Sequence, residues 1–312
     1  MLAPFYSGFV SIIGKPNVGK STLMNLFAGE KISIVSSKPQ TTRNKIRGVL
    51  NREDFQVVFI DTPGIHEPAS KLGSYMVKSA LNAMNEVDCV IYLVEPRLKK
   101  IKGPDGETFE LFNGDKIILE KLRGVKAPII LALNKIDTVS PNDLLPVIDR
   151  FKDFPFAEVM MISAIKAKNT EELLQAVKSR LPEGPRYFPQ DMMTDQPERQ
   201  IASELIREKA LLKLSEEVPH GIAVEVSSMK EVEGSNGLVE VQATIVCEKD
   251  SHKGIVIGKQ GRMLKEIGTA ARLDIERLLG SRVNLQLWVK VNKGWRDSDF
   301  HLRHFGYDAS KA

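Results

Sequence analysis

The chain has little of what would mark a secreted, metal-clustered or membrane-spanning protein. Its only two cysteines, Cys89 and Cys247, stand one in each half inside apolar runs. A disulfide framework or cysteine metal site is therefore not expected, and a reducing, cytoplasmic setting is. His220, His252, His301 and His304 show no metal-ligand spacing with cysteines or carboxylates, so no metal role is read into them. No apolar run approaches the ~18 residues of a membrane span, and the start lacks a basic stretch followed by an apolar core, which predicts a soluble chain. Surface association with a membrane stays open. The net charge of +4 is too small to announce a nucleic-acid partner by itself, so local clustering has to decide that. There is neither an internal repeat nor a low-complexity tract.

At 312 residues, 42% of them hydrophobic, two domains are expected, each with a sizeable core. From Gly8 to about Arg180 short β-rich runs ("GFVSII", "FQVVFI", "DCVIYLV", "APIILAL", "AEVMMI") alternate with stretches of helical spacing. This α/β pattern predicts a mostly parallel sheet with helices on both faces and ligands at the carboxyl ends of the strands. Residues 181–200 carry four prolines and little periodicity, as an extended linker does. The organisation expected is therefore a first domain over 1–181, a linker over 182–200, and an α+β domain over 201–312. That last part reads helix, two strands joined through "EGSNG", a glycine turn, helix and the strand "VNLQLWVKV".

The motifs fall at strand ends. "GKPNVGKS" (Gly14, Lys15, Pro16, Asn17, Val18, Gly19, Lys20, Ser21, with Thr22 following) fits the phosphate-binding P-loop pattern and opens a helix. Its glycines let successive N–H groups face phosphate oxygens at a helix N-terminus. Lys20 is expected on the outer phosphates and Ser21 on Mg²⁺. In "DTPG" (Asp61, Thr62, Pro63, Gly64), Asp61 can hold Mg²⁺ through water, and the Gly64 N–H can approach the γ-phosphate. In "NKID" (Asn134, Lys135, Asp137) the Asp137 carboxylate can accept two hydrogen bonds from guanine, a donor pair that adenine lacks. "SAI" (Ser163, Ala164, Ile165) could present the Ala164 N–H to the guanine O6. Each triplet alone could be an ordinary turn; their order predicts a GTP-binding domain. In "KPQTTRNKIRG", Thr42, with Thr41 as the alternative, is the candidate that completes the Mg²⁺ shell and senses the γ-phosphate. Lys20, Thr42 and Gly64 are the candidate catalytic groups.

"IVIGKQGRMLKEIG" places Gly258-Lys259-Gln260-Gly261 between a strand-like run and a helix. Such a G-x-x-G turn lets backbone pass close to a nucleic-acid strand, as in KH domains. Lys253, Lys259, Arg262, Lys265 and Arg272 crowd it against Glu266 alone, which favours RNA over a plain turn. The element order suits a type II KH fold. Trp288, Trp295, Phe300, Phe305 and Tyr307 lie among basic residues near the end and could stack on bases, although packing of a terminal helix on the domain core is expected for most of them.

Together "GKPNVGKS", "QTTR", "DTPG", "NKID", "SAI" and "VIGKQG" followed by "LWVKV" resemble the Era family of bacterial GTPases over nearly the whole chain. The resemblance implies a P-loop GTPase domain fused to a type II KH domain, using GTP, GDP and Mg²⁺. It implies binding to the 3′ end of small-subunit (16S) ribosomal RNA, assistance in 30S subunit maturation, a monomer, and peripheral contact with the cell membrane. Residues 97–116 look longer than the family's connection and are expected to form a surface hairpin of unknown role.

Ile65 stands where Ras-like GTPases carry a water-orienting glutamine. Many GTPases with an apolar residue there and an asparagine in the phosphate loop use K⁺, so Asn17 is a candidate K⁺ ligand and slow, K⁺-stimulated hydrolysis is expected. The rival readings are an RNA-binding assembly protein in which GTP is a structural ligand, and a membrane-surface GTPase.

Overall fold

The computed structural model describes residues 4–36, 38, 41–103, 106–215, 217–235 and 237–307, with backbone alone at 102, 103 and 106–108. Pro39 and Gln40 of the threonine-bearing stretch and Asn236 of the "EGSNG" turn lie outside them.

The first half runs β1 (Tyr6–Ile13), α1 (Lys20–Ala28), β2 (Ile46–Asn51), β3 (Phe55–Asp61), α2 (Lys71–Asn82), β4 (Cys89–Val94), β5 (Lys99–Gly103), β6 (Gly106–Glu110), α3 (Asn113–Leu122), β7 (Ile129–Leu133), α4 (Leu144–Asp149), β8 (Glu158–Met161) and α5 (Thr170–Lys178). Six strands form one sheet in the order β2-β3-β1-β4-β7-β8. Every pairing is parallel except that of β2 with β3. Strands β3, β4 and β7 are buried along their whole length. They read as continuous apolar runs because helices cover both faces of the sheet, and two apolar clusters fill the space on either side. β1 has β3 on one side and β4 on the other, so the chain crosses over in both directions there and leaves a crevice at its carboxyl end. β5 and β6 pair as an antiparallel hairpin within residues 97–116, as expected.

The second half runs α6 (Glu198–Lys213), β9 (Ala223–Glu231), β10 (Val239–Cys247), α7 (Asp250–Ile257), α8 (Arg262–Leu279), β11 (Val283–Val291) and α9 (Asp299–His304). Its sheet has the order β11-β10-β9, and α6 and α8 supply much of the core packed against it. Helix α6 starts inside the expected linker stretch. Before it, the chain is tied to the first sheet: the Ser7 hydroxyl donates to Pro185 O (2.6 Å) and Gln56 bonds the backbone at Tyr187 and Phe188.

Two expectations need correction. The run "IVI" before Gly258 is the end of helix α7, not a strand. β10 already has a neighbour on each side, and three apolar residues cannot by themselves separate helix from strand; only Val256 of the three is buried. The terminal aromatics lie outside the main core of the second half and touch its sheet at Ala223 and Val246. Trp295, Tyr307 and Phe305 join Leu72, Tyr75 and Met76 of α2 in a cluster between the halves, while Trp288 and Phe300 are exposed. Among the described residues no helix is long and apolar enough to cross a membrane.

Candidate functional site

At the carboxyl end of β1 the backbone of Gly14 has φ 152°, and a Cβ there would stand 2.3 Å from the Leu93 carbonyl oxygen. A Cβ on Gly19 would stand 2.3 Å from Asn134 Nδ2. The loop can therefore close only with glycine at both ends. Among the described residues no side chain caps α1 and none in its first turn is acidic, which leaves its positive dipole end for an anion. Lys20 is buried and donates to Gly14 O (3.2 Å) and Lys15 O (2.9 Å). Burial pulls its pKa down to about 8, with Asp61 opposing the shift.

Beside it three oxygen side chains converge. The Ser21 hydroxyl donates to Asp61 Oδ2 (2.8 Å) and lies 2.9 Å from Thr42 Oγ1, which itself donates to Asp61 Oδ2 at 3.2 Å. Asp61 is fully buried, and its Oδ1 has no hydrogen-bond partner among the described residues. Burial raises its carboxyl pKa, against Lys20 and the surrounding hydroxyls. Hard oxygen ligands around an orphaned buried carboxylate oxygen suit Mg²⁺. Of the two candidate threonines, Thr41 turns away and donates to Lys38 O (2.7 Å). Ser33, which also donates to Asp61 Oδ2 (2.8 Å), had no motif to flag it.

On the base side, Asn134 ties two loops together: Nδ2 donates to Val18 O (2.8 Å) and Oδ1 accepts from the Ala164 N–H (2.9 Å). Asp137 Oδ1 accepts from the Ser163 hydroxyl (2.5 Å), which fixes the carboxylate that would read guanine. Lys135, at φ 66°, reaches Asn17 O (2.6 Å) and pairs with Glu95. Thr62 donates to Ile12 O (2.8 Å), and Pro63 is buried. Gly64 packs on Pro16. A cavity of about 430 Å³ runs from Lys20, Ser21, Thr22 and Thr42 to Lys135 and Ile165, the last 73% exposed at the rim. Lys15 is the exception in the phosphate loop. Its ammonium pairs with Asp115 of α3 and lies 4.4 Å from the centre of the Phe112 ring.

In the second half, Gly258 (φ 72°, ψ 175°) ends α7, Lys259–Gly261 make a single tight turn, and α8 starts at Arg262. Lys259, Gln260, Arg262 and Lys265 are exposed. A groove of about 350 Å³ opens beside this turn between α8 and β11, lined by Gly261, Leu264, Leu285, Leu287, Lys265 and Arg272. Gly268 also lines it, and a Cβ there would press on Leu287 at 3.2 Å. Apolar side chains for base faces beside cations for phosphates fit a single nucleic-acid strand. The leucines and Gly268 were not picked out from the sequence, although a lone glycine inside a helical stretch was a usable sign. The acidic balance is larger than the local sequence suggests, since Arg272 pairs with Glu276 (2.7 Å), and Arg262 and Lys213 share Glu266.

Two family models match: the 50S ribosome-binding GTPase over residues 9–135 and the KH domain over residues 217–296. The chain is similar to GTPase Era of Clostridium perfringens (strain 13), 51% identical over 308 residues covering 98% of this chain and 100% of that protein. It is 53% identical over 306 residues to GTPase Era of Clostridioides difficile (strain 630), covering 97% and 99%. Two similar solved structures each cover 97% of the chain. One is a variant of Aquifex aeolicus Era bound to GDP·AlF4⁻, with TM-score 0.88, 38% identity and 100% of that chain covered. The other is Era in complex with MgGDPNP and nucleotides 1506–1542 of 16S ribosomal RNA, with TM-score 0.90, 39% identity and 99% covered.

Proposed function

The chain belongs to the GTPase Era family, and from that premise we propose that it is a GTP-hydrolysing assembly factor that holds the 3′ end of 16S ribosomal RNA during 30S maturation. The observation that carries this reading is one chain holding both the Ser21–Thr42–Asp61 convergence and the groove beside Gly258–Gly261. Residues 1–181 form the nucleotide unit, the RNA unit opens with α6 at Glu198, and the stretch between them joins the two.

In the nucleotide unit Lys20 brings a buried positive charge to the outer phosphates. When bound, Mg²⁺ would supply a second positive charge beside the phosphates. Ser21, Thr42 and Asp61 hold it, and Thr42 makes the loop sense the γ-phosphate. Asp137 selects guanine: its exposed carboxylate, held by Ser163, would be covered by the base, and adenine would leave it without the two donors that guanine offers. Ile65 is buried, so the attacking water is held by backbone groups near Thr42 and Gly64. Hydrolysis is slow, and Asn17 would hold a K⁺ whose charge could offset part of the negative charge of phosphoryl transfer. Equal rates in K⁺ and Na⁺ for wild type and Asn17→Ala would remove the K⁺ role. The protein works in the cytoplasm as a monomer, and any contact with the cell membrane is peripheral, which vesicle sedimentation reads directly.

The deciding experiment measures affinity for an RNA oligonucleotide copying the 16S 3′ end, with GDP and with GDPNP. Binding that differs between the two nucleotides is expected; no binding with either would overturn the assembly role.

A further inference from the structure

Thr42 is a single residue between two anchors in the other half of the molecule. On one side, the Thr41 carbonyl accepts from the guanidinium of Arg207 on α6, a buried side chain that Glu204 holds in place (Arg207 Nε to Glu204 Oε1, 3.0 Å). On the other side, Arg43 is 1% exposed and donates to Ile222 O (2.6 Å) and His220 O (3.1 Å). Its guanidinium lies 5.6 Å from the centre of the Trp295 ring, and Trp295 Nε1 donates to the intervening Gly221 O at 3.0 Å. Three successive carbonyls, 220 to 222, are thus occupied by Arg43 and Trp295. Upstream, the Val35 N–H donates to Glu208 Oε1 (2.8 Å), and Lys38 reaches the Leu211 and Leu214 carbonyls at the end of α6.

The segment between α1 and β2 therefore points Lys31, Lys38 and Arg43 at the second half, while the hydroxyls of Thr42 and Ser33 face Asp61. Arginine burial against neutral carbonyls is costly for an element that merely connects a helix to a strand. A planar guanidinium makes two directed bonds at once, so it fixes the backbone of residue 43, and with it the reach of Thr42.

We infer that Arg43, with Arg207 opposite it, is the positioning residue through which the second half sets Thr42 in the nucleotide site. The inference rests on the reading above and adds the route by which the RNA-binding unit acts on the γ-phosphate. A displacement of the 220–222 turn or of α6 moves residue 41 or 43, and Thr42 with it, while the groups that hold GDP stay in the first half.

The test compares Arg43→Lys, Arg207→Lys and Trp295→Phe with wild type in the full-length protein, reading GDP affinity, Mg²⁺–GDPNP affinity and single-turnover hydrolysis. Trp295→Phe keeps an aromatic ring at the site but removes the pyrrole half of the indole with its N–H to Gly221 O, and leaves both arginines in place, so it supplies the comparison if an arginine variant does not fold. For the folded variants, GDPNP affinity and the hydrolysis rate are expected to fall about tenfold, within the usual range of site-to-site coupling, with GDP affinity changed less than about twofold. GDP and GDPNP affinities falling in parallel would reveal a structural role only, and all three unchanged would likewise overturn the inference. Wild-type protein that fails to hydrolyse GTP would sink the functional reading instead.

Discussion

Gly64 lies so close to Pro16 that a Cβ on it would stand 2.6 Å from the Pro16 nitrogen and 2.7 Å from its Cγ. The neighbour is phosphate-loop backbone, which cannot turn aside as a flexible side chain would. Gly64→Ala therefore pushes the loop after β3 away from the γ-phosphate position and takes its N–H out of reach. Loss of one such donor costs on the order of a hundredfold in rate. Single-turnover hydrolysis is expected to fall by about that factor while GDP affinity holds, because GDP lacks the phosphate concerned. A wild-type rate in Gly64→Ala would show that this N–H takes no part.

Lys20 is expected to make nucleotide binding pH-dependent. Its folded pKa of about 8 lies below the ordinary 10.5, so between those values the unfolded chain holds more protons and stability rises with pH. Below pH 8 the lysine is charged in both states and the burial cost is fully present. Triphosphate oxygens beside the ammonium raise its pKa again, so binding GDPNP at pH 8.5 takes up a proton. Calorimetry in two buffers of different ionisation enthalpy reads that uptake, which Lys20→Met should abolish. Equal uptake in the two proteins would place the proton elsewhere.

The two glycines of the turn between α7 and α8 differ in kind. Gly258 combines φ 72° with ψ 175°, and a Cβ on it would stand 2.9 Å from the Met263 nitrogen. Gly261 has φ 76° and ψ 8°, with nothing within 4 Å of a Cβ. Alanine at 261 meets only the left-handed backbone penalty of about 1–2 kcal/mol. At 258 it meets a region essentially confined to glycine, a strain of about 1–3 kcal/mol, and a backbone collision besides. The melting temperature of Gly258→Ala is expected well below that of Gly261→Ala; the opposite order would mean that the turn closes differently.

Features fixed by local demands were legible before the structure. The phosphate loop needs glycines, a lysine and a hydroxyl within eight residues, and the last strand spans Val283–Val291, the very run its alternating apolar pattern predicts. Edge strand β2 was not picked out, because Arg47, Gly48 and Asn51 interrupt its apolar pattern. Arg43 was invisible for another reason: its partners are backbone carbonyls 177 to 179 residues away, and a carbonyl carries no side-chain signature. Lys15 sits in the motif, yet its ammonium answers to Asp115, 100 residues on. The terminal aromatics showed their apolar character in sequence but not which half they would cover.

Ile65 tests whether the missing glutamine is a defect or part of the design. Its side chain is 2% exposed within the cluster that holds Ile13, Val90 and Tyr92, and its N–H donates to Gly14 O at 3.2 Å. The position thus braces the phosphate loop from beneath the sheet end, and its side chain has no path to a water at the γ-phosphate. Ile65→Gln buries an amide where apolar groups surround it, a cost of about 1–3 kcal/mol if the amide stays unpaired. The variant is expected to melt at a lower temperature and to hydrolyse GTP no faster than wild type. A clear acceleration in single-turnover hydrolysis would show that the loop turns this side chain toward the nucleotide, and the backbone-held water would then have to be abandoned.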